Sequence, residues 1–495
     1  MKNIFEAIEH KPVQIVVGLF IFHIVITCMM FWLANSIFLS HLHNGQGFWH
    51  FAKDSSLYHE EAIYIKNILN QGNWSNWDFS SIFNHPHVTW IAFVYWLFEE
   101  ETPLLFEAVN SVTWVTSVVL IYIATRIICG PNVRVASFAV LFLFFPSILL
   151  SSTQLLKDPF YVLGICFVIF GWAAIFREHS NLKGALAIII GFLLITSIRS
   201  YVTYIVFSIF LICTLVFLIR KKIAAVPALL MLMGISVISF QYNFFGSLPA
   251  LPEKKSLTSH EVTKRSTDNT GEESTSSFGD IALSLWRAAG EHSIENLNHK
   301  DGALKEKLHL KQIELLKNNN FSGASGYINF LNKGIAIRLS IMRYGFSEVN
   351  GSANSKIDEM VQFMNIRELF SYFPRALQIG FLSPFPPLWV TPGTETGHIG
   401  RTIAGFETLI MYFIWVGFFS AVFMRMHILK PLAPVLIFSG VIIVLLGFVV
   451  PNVGAIYRMR QGLLIPFFMM GVYGLSLLLP QIKSAMSKYG RPNSL

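Results

Sequence analysis

The chain has 495 residues, of which 53% are hydrophobic and only 13% are charged. Soluble globular proteins carry charged residues at about a quarter of their positions, so this composition excludes an ordinary soluble domain and a disordered chain. The net charge of +8 would favour nucleic acid as a partner in a soluble protein. Here, however, the basic residues lie largely in short loops between apolar runs, where they set membrane orientation. The composition predicts an integral membrane protein that binds no nucleic acid.

Apolar runs along the chain predict the membrane spans, because about 20 apolar residues cross a bilayer as a helix. We predict about ten spans, at 14–40, 104–128, 135–153, 159–176, 184–198, 201–219, 223–241, 403–424, 431–450 and 462–480. The first run has no small-residue cleavage site after it, so we interpret it as a retained span rather than a signal peptide. The four cysteines lie in or beside these runs, and we expect no disulfide framework.

The short basic connections predict the orientation, since positive charge in short loops favours the cytoplasm. Arg126 with Arg134, and later Arg220 to Lys222, alternate with weakly basic loops. Both termini are therefore expected in the cytoplasm. Four regions are expected outside: 41–103, 153–158, 242–402 and 451–461. The predicted organisation is an all-α polytopic membrane protein with an N-terminal transmembrane module (1–241), a large, mixed and partly helical outer loop domain (242–402) and a C-terminal transmembrane module (403–495).

Two further stretches are predicted as helices that do not span. The stretch from His87 to Phe98 is apolar but too short to cross, which favours an interfacial or re-entrant helix. Between Met360 and Trp389, apolar residues recur at near-helical spacing before a Ser-Pro-Phe-Pro-Pro turn. We expect an amphipathic helix on the outer membrane face.

Two aspartates in the outer regions are candidates for chemistry. Asp54 is either a helix N-cap or a general base, which needs a carboxylate within hydrogen-bond reach of an acceptor hydroxyl; the two roles are compatible. Asp158 precedes Pro159, and Asp at the N-cap with Pro at the first helical position explains both residues structurally. The same position fixes Lys157 and Asp158 at the outer boundary, on the side predicted for Asp54.

Three arginines in the outer connections, Arg199, Arg458 and Arg460, are either headgroup anchors or phosphate ligands. Positive charges in short loops favour the cytoplasm, so their outer position argues for a further role, and bidentate phosphate binding suits arginine. His59, His85 and His87 share the first outer loop, but their spacing does not match a zinc site. Mg²⁺ or Mn²⁺ held by Asp54 and a lipid phosphate would need few protein ligands and stays an alternative.

Several short motifs together resemble the GT-C superfamily of polytopic glycosyltransferases, in particular bacterial members similar to glycosyltransferase family 39. The order, spacing and sidedness of the motifs carry the resemblance, which covers most of 1–240 and 400–480. The motifs are Asp54-x-x-x-Tyr58-x-x-x-Ala62, Gln71-Gly72-Asn73-Trp74, His85-Pro86-His87, Glu107-Ala-Val-Asn110, Phe145-Pro146-Ser147 before Lys157-Asp158, and Asn452-x-Gly454-x-x-x-Arg458-x-Arg460.

The resemblance implies an enzyme of the bacterial inner membrane that moves a sugar from a polyprenyl-phosphate donor to a lipid or glycan acceptor on the periplasmic face. It makes the large outer loop a periplasmic domain. It implies Asp54 as the base that activates the acceptor and Asp158 as a second acidic residue. Ser55 stands where many members carry a second acid, which weighs against a metal-dependent version. The implied substrate and phosphate ligands are Lys157, Arg199, Arg458, Arg460, Tyr58 and His59.

Other functions remain open at the level of the sequence. A polysaccharide polymerase or O-antigen-ligase-like enzyme, acting on undecaprenyl-diphosphate glycans, would also use outer arginines and a large outer loop. A transporter of lipid-linked saccharides would need outer cations too, although such proteins often show paired halves that this chain lacks. For direct displacement by an acceptor activated by Asp54, we predict inversion at the anomeric carbon.

Overall fold

The computed structural model describes residues 11–72, 86–177, 181–199, 209, 330–349, 355–393 and 396–489. The regular elements in these ranges are helices, and backbone pairing of the β type is confined there to isolated bridges. The earlier helices are α1 (Pro12–Ala34), α2 (Asp54–Asn70), α3 (Pro86–Phe98), α4 (Pro103–Cys129), α5 (Val133–Val140), α6 (Pro146–Ser151), α7 (Asp158–Phe176) and α8 (Asn181–Ile198). The later helices are α9 (Ile335–Val349), α10 (Ile366–Leu382), α11 (Gly397–Leu429), α12 (Ala433–Val449), α13 (Val453–Met459) and α14 (Gln461–Tyr489).

Several of these helices identify the chain as a multi-pass membrane protein. Five helical segments in the described part are long and apolar enough to cross a membrane: Pro12–Ala34, Pro103–Cys129, Asp158–Phe176, Gly397–Val449 and Gln461–Gln481. The segment Gly397–Val449 contains both α11 and α12, and two shorter apolar helical segments lie at Val133–Phe144 and Leu182–Ile198. The predicted spans at 201–219 and 223–241 lie outside the described residues. The total of ten spans and the fold of the outer domain therefore stay predictions.

The predicted span at 135–153 is wrong as a single helix. Helix α5 ends at Val140, a 3₁₀ turn follows at Leu141–Phe144, and α6 begins at Pro146. Phe145 between them has ψ 131°, an extended value. The ring of a proline disfavours helical geometry in the residue before it, which explains the break. The break places Ser147 at the start of the segment that leads to Asp158.

Close helix contacts at glycines hold the first of two compact units together. This unit comprises residues 1–239, 379–444 and 454–495. On α7, Gly164 and Gly171 lie against the α8 backbone at Gly191 and Gly184, so closely that a Cβ at any of these positions would collide with the facing helix. Small residues allow helix backbones to approach closely in membranes, where dispersion replaces the hydrophobic effect as the driving force.

The second compact unit, which comprises residues 240–378 and 445–453, contains a buried arginine. Arg343 is 1% exposed, and its Nη1 donates to the main-chain oxygen of Phe448 at 2.8 Å. Its Nη2 donates to the main-chain oxygens of Asp358 at 2.8 Å and Ile357 at 3.1 Å. The guanidinium also lies 5.6 Å from the ring centroid of Tyr372. These bonds to main-chain carbonyls tie α9 to two other segments of the unit, at Ile357 and Asp358 and at Phe448.

The two helices predicted not to span are both present. Helix α3 covers the stretch that the sequence assigns to a short helix after residue 86. Helix α10 covers the middle of the predicted amphipathic stretch, and a 3₁₀ turn at Pro386–Leu388 follows it. Their placement relative to the membrane faces stays a prediction.

Candidate functional site

Four side chains from separate parts of the chain meet in one cluster. Asp54 lies in the first turn of α2, Asp158 in the first turn of α7, Arg199 directly after α8, and Arg458 on α13. The sequence predicts that these residues lie in four different outer connections. We call these four residues the ion-pair cluster; it brings together both predicted acids and two of the predicted phosphate ligands.

Arg458 lies between the two aspartates of the ion-pair cluster. Its Nη2 donates to Asp54 Oδ2 at 2.7 Å, and its Nε lies 3.6 Å from Asp158 Oδ2. Arg199 closes the other side, with Nη2 donating to Asp158 Oδ1 at 3.0 Å and Nη1 donating to the main-chain oxygen of Met459 at 2.8 Å. One guanidinium therefore bridges two carboxylates, and the second holds one of them in place.

The two short ion pairs of the cluster differ in their contact with solvent. The side chains of Asp54 and Arg458 are each 37% exposed, whereas Arg199 is 6% exposed and Asp158 is 10% exposed. Exposed pairs are worth about 0–1 kcal/mol, whereas removing one partner of a buried pair costs about 3–5 kcal/mol. The Asp158–Arg199 pair therefore acts as fixed structure, and the Asp54–Arg458 pair is the one that can separate at low cost.

Tyr58, His87 and Lys157 line a small cavity together with the end of α8 at Ile198. The Lys157 ammonium lies 5.9 Å from the Tyr58 ring centroid, and the Tyr58 and His87 rings meet edge to face at 5.4 Å. The cavity has a volume of about 10 Å³, far below the range of about 300–1,000 Å³ for ligand pockets. A lipid-linked sugar would require this region to open further.

Burial and the charges of the ion-pair cluster together shift the pKa values of nearby groups. Burial raises the pKa of the Tyr58 phenol, and the Asp54 and Asp158 carboxylates raise it further. Burial alone would lower the pKa of Arg458, but the same two carboxylates raise it above its ordinary value. Burial lowers the pKa of the Lys157 ammonium, and Asp158 opposes that effect. Tyr58 is therefore a neutral hydrogen-bonding group beside a charged guanidinium at neutral pH.

The capping hypothesis for the two aspartates is off by one position. Helices α2 and α7 begin at Asp54 and Asp158 themselves, and the N-cap residues before them are Lys53 and Lys157, neither of which makes a side-chain capping bond. Pro159 is correspondingly the second residue of α7 rather than the first. A carboxylate in the first helical turn is favoured by the helix dipole. The bonds to arginine, rather than a cap, orient both side chains.

Two of the predicted substrate ligands have other partners. Arg460 is buried, and its guanidinium donates to the main-chain oxygens of Gly380 and Ser383. His59 shares a hydrogen bond of 2.9 Å between its Nδ1 and the Tyr95 hydroxyl, and burial lowers its pKa. In this structure, neither side chain is bonded to a member of the ion-pair cluster.

A buried carboxylate that the sequence analysis did not single out supports the helix that carries Arg458. Glu407 on α11 is 3% exposed and accepts from the Ser147 amide at 2.8 Å, the Ser147 hydroxyl at 2.5 Å and the Tyr457 hydroxyl. Tyr457 is the residue next to Arg458 on α13. The available signal was a single carboxylate inside the apolar run at 403–424, because ionisable groups at membrane depth are costly and therefore informative.

The site residues do not fit a divalent metal ion as they are arranged. Both carboxylates that could bind one, Asp54 and Asp158, are engaged by the Arg458 guanidinium. Elsewhere in the described part of the chain, His, Cys, Asp and Glu side chains form no group of three or more that could hold a metal.

Comparison with protein families, curated proteins and solved structures finds no match to this chain.

Proposed function

We propose that the protein is a membrane glycosyltransferase that moves a sugar from a polyprenyl-phosphate donor to a lipid or glycan acceptor on the outer face of a bacterial inner membrane. The observation that carries the proposal is the contact between Asp54 and Arg458. A carboxylate and a guanidinium, each 37% exposed, lie side by side, and they can supply a general base and a phosphate-binding cation for glycosyl transfer. The motif resemblance described above supports the same function.

In the proposed reaction, Asp54 accepts the proton of the acceptor hydroxyl. The hydroxyl oxygen bonds to the anomeric carbon while the bond from that carbon to the phosphate oxygen breaks, and its electron pair leaves with the phosphate. The products are the glycosylated acceptor and polyprenyl phosphate, and the proton on Asp54 returns to solvent. General base catalysis of this kind contributes about 10²–10⁴ in rate.

The cations around the site would stabilise the departing phosphate. Arg458, Arg199 and Lys157 carry positive charge beside the carboxylates of Asp54 and Asp158, so the region holds an excess of one cation. Preplaced charge of this kind stabilises charge that develops in a transition state. Arg458 and Lys157 are the proposed direct phosphate ligands, whereas Arg199 positions Asp158.

The test is transfer of radiolabelled sugar from polyprenyl-phosphate donors to membrane-extracted acceptors by the purified protein. Asp54→Asn preserves the shape of the side chain but removes the base, so transfer should fall about 10²–10⁴-fold. Glu60→Gln is the matched control, because Glu60 is an exposed acid on the same helix. Equal transfer by Asp54→Asn and Glu60→Gln would remove Asp54 from the mechanism.

The donor panel separates the proposed function from its competitors. It should include sugars on polyprenyl phosphate and glycans on undecaprenyl diphosphate. Transfer only from diphosphate-linked glycans would favour a polymerase or ligase, and movement of lipid-linked saccharide across vesicles without transfer would favour a transporter. NMR of the product should show inversion at the anomeric carbon, and retention would contradict direct displacement.

A further inference from the structure

The proposed base, Asp54, and a proposed phosphate ligand, Arg458, are bonded to each other in this structure. Asp54 Oδ2 accepts a hydrogen bond from Arg458 at 2.7 Å. An oxygen that already accepts a hydrogen bond from a guanidinium is blocked on that side from the proton of an acceptor hydroxyl, which must come within hydrogen-bond reach of its base. We infer that the Asp54–Arg458 contact is an autoinhibitory ion pair, which a phosphate group on the donor opens by replacing Asp54 on Arg458. This inference rests on the proposed function and adds to it an order of events.

Burial determines which contact in the ion-pair cluster opens. Asp158 is nearly buried and is held at 3.0 Å by Arg199, which also donates to the main-chain oxygen of Met459. Asp54 is more than a third exposed, and Arg458 is its partner in the cluster. Water can replace the lost hydrogen bond at Asp54 but not at Asp158. Asp54 is therefore the carboxylate that leaves Arg458.

A phosphate is the anion that suits the exchange. The guanidinium of Arg458 presents its Nη2 to Asp54 and its Nε toward Asp158 at 3.6 Å, and paired N–H groups of arginine match phosphate oxygens. Lys157 lies beside the same region. Its ammonium lies near the Tyr58 ring and makes no ion pair within the described residues. A phosphate could therefore bind Arg458 and Lys157 together, whereas Asp54 bonds to Arg458 and not to Lys157.

The exchange links donor binding to activation of the acceptor. Without a donor, Asp54 is held by Arg458, and its Oδ2 is already engaged when an acceptor hydroxyl arrives. With the phosphate on Arg458, Asp54 is released next to the bond that is to break. The expected order is donor first and acceptor second.

Carboxyl labelling of the full-length protein in nanodiscs tests the exchange. A water-soluble carbodiimide and glycinamide convert accessible carboxyl groups to amides, which mass spectrometry quantifies at Asp54 and, as internal references, at Asp158 and Glu60. Parallel samples contain polyprenyl phosphate, inorganic phosphate or the uncharged polyprenol, and binding of radiolabelled polyprenyl phosphate is measured on the same preparation.

Bound polyprenyl phosphate should raise Asp54 labelling about fivefold, because an exposed ion pair stabilises the closed contact by up to about that factor. Labelling of Glu60 should not change. Arg458→Met should show the high labelling without any ligand and no further rise. An equal rise with inorganic phosphate would show that the phosphate group alone opens the pair, whereas a rise only with the lipid would assign the effect to a membrane-borne donor.

Three outcomes would overturn the inference, and they separate it from the proposed function. Unchanged Asp54 labelling despite bound polyprenyl phosphate would refute the exchange and leave the proposed function standing. A rise with polyprenol equal to that with polyprenyl phosphate would refute the role of the phosphate. Absence of polyprenyl phosphate binding would refute the exchange, and absence of sugar transfer from every polyprenyl-phosphate donor as well would refute the proposed function itself. The wild-type samples decide between these outcomes even if Arg458→Met does not fold.

Discussion

The ion-pair cluster of the first unit and the Arg343 site of the second unit use arginine in different ways. Arg343 is buried and donates to main-chain carbonyls, which are neutral and cannot move without the backbone. Arg458 is 37% exposed and bonds to carboxylate side chains, one of which can rotate away. The partners of an arginine and its exposure, rather than its presence near an outer loop, therefore separate a structural arginine from an exchangeable one.

Removing the buried arginine of the second unit should have the largest effect on stability. Arg343→Met leaves three carbonyl oxygens without their donor, so the free energy of unfolding should fall by about 4 kcal/mol. Arg367→Met is the matched control, because Arg367 is exposed on α10 of the same unit. Thermal unfolding in detergent measures both, and equal midpoints for the two variants would contradict a structural role for Arg343.

Within the ion-pair cluster, the two arginines should behave differently. Arg199→Met leaves Asp158 nearly buried with only the longer contact to Arg458, and should cost about 3 kcal/mol. Arg458→Met breaks the exposed pair and the longer contact to Asp158, but the shorter bond from Arg199 to Asp158 remains, so the cost should be only about 1 kcal/mol. The same unfolding measurement compares them. A larger loss for Arg458→Met would show that the exposed pair is the structural one.

The buried histidine beside the cluster should make stability depend on pH. Burial lowers the pKa of His87 to about 4, and its Nε2 donates to the main-chain oxygen of Leu155 at 3.1 Å. Because the folded-state pKa lies below the unfolded value of 6.5, the unfolded chain binds more protons between these values. Stability is therefore complete above about pH 6.5 and is lost as the pH falls toward 4, by about 2 kcal/mol between pH 7 and pH 5.

A variant isolates that contribution from the other titrating groups. His87→Gln keeps a side-chain donor for the Leu155 oxygen but does not titrate, so its loss of stability between pH 7 and pH 5 should be about 2 kcal/mol smaller than that of the wild type. His41→Gln, at an exposed histidine, is the control and should follow the wild type. Parallel pH profiles for His87→Gln and the wild type would contradict burial of a neutral His87.

The smallest effect on stability is expected at the support of α13. Tyr457→Phe removes one of the three donors to Glu407, while both Ser147 bonds remain, so the cost should be about 1 kcal/mol. Because α13 also carries Arg458, the donor KM should rise while kcat changes less. Tyr64→Phe, at an exposed tyrosine of α2, is the control. An unchanged donor KM in Tyr457→Phe would separate Glu407 from the site.

The sequence predicts helices best where an apolar run is bounded by a helix start and stop signal. The run at 104–128 becomes α4, which begins at Pro103 and ends before Gly130. The run at 135–153 fails because apolar character says nothing about Pro146, whose ring interrupts the helix. Apolar composition predicts that a segment lies in the membrane, whereas local backbone chemistry determines whether the helix in that segment is continuous.

The members of the site were predictable from sidedness, but their pairing was not. Asp54 and Arg458 are 404 residues apart in sequence, and nothing local indicates that they touch. Arg458 and Arg460 are two residues apart and look equivalent in a motif, yet only the first bonds to a carboxylate of the cluster. Which arginine is exchangeable depends on the tertiary packing around α13, and that packing cannot be predicted from the spacing of residues in a single sequence.

The donor concentration dependence of sugar transfer by Asp54→Asn and Arg458→Met is the most direct test of the central claim. The two variants should affect different kinetic constants. Asp54→Asn should lower kcat by about 10²–10⁴ with little loss of donor affinity, because only the base is removed. Arg458→Met should raise the donor KM because a phosphate ligand is removed. Equal effects of both variants on donor KM, with kcat unchanged, would contradict the assignment of base and phosphate ligand to this ion pair.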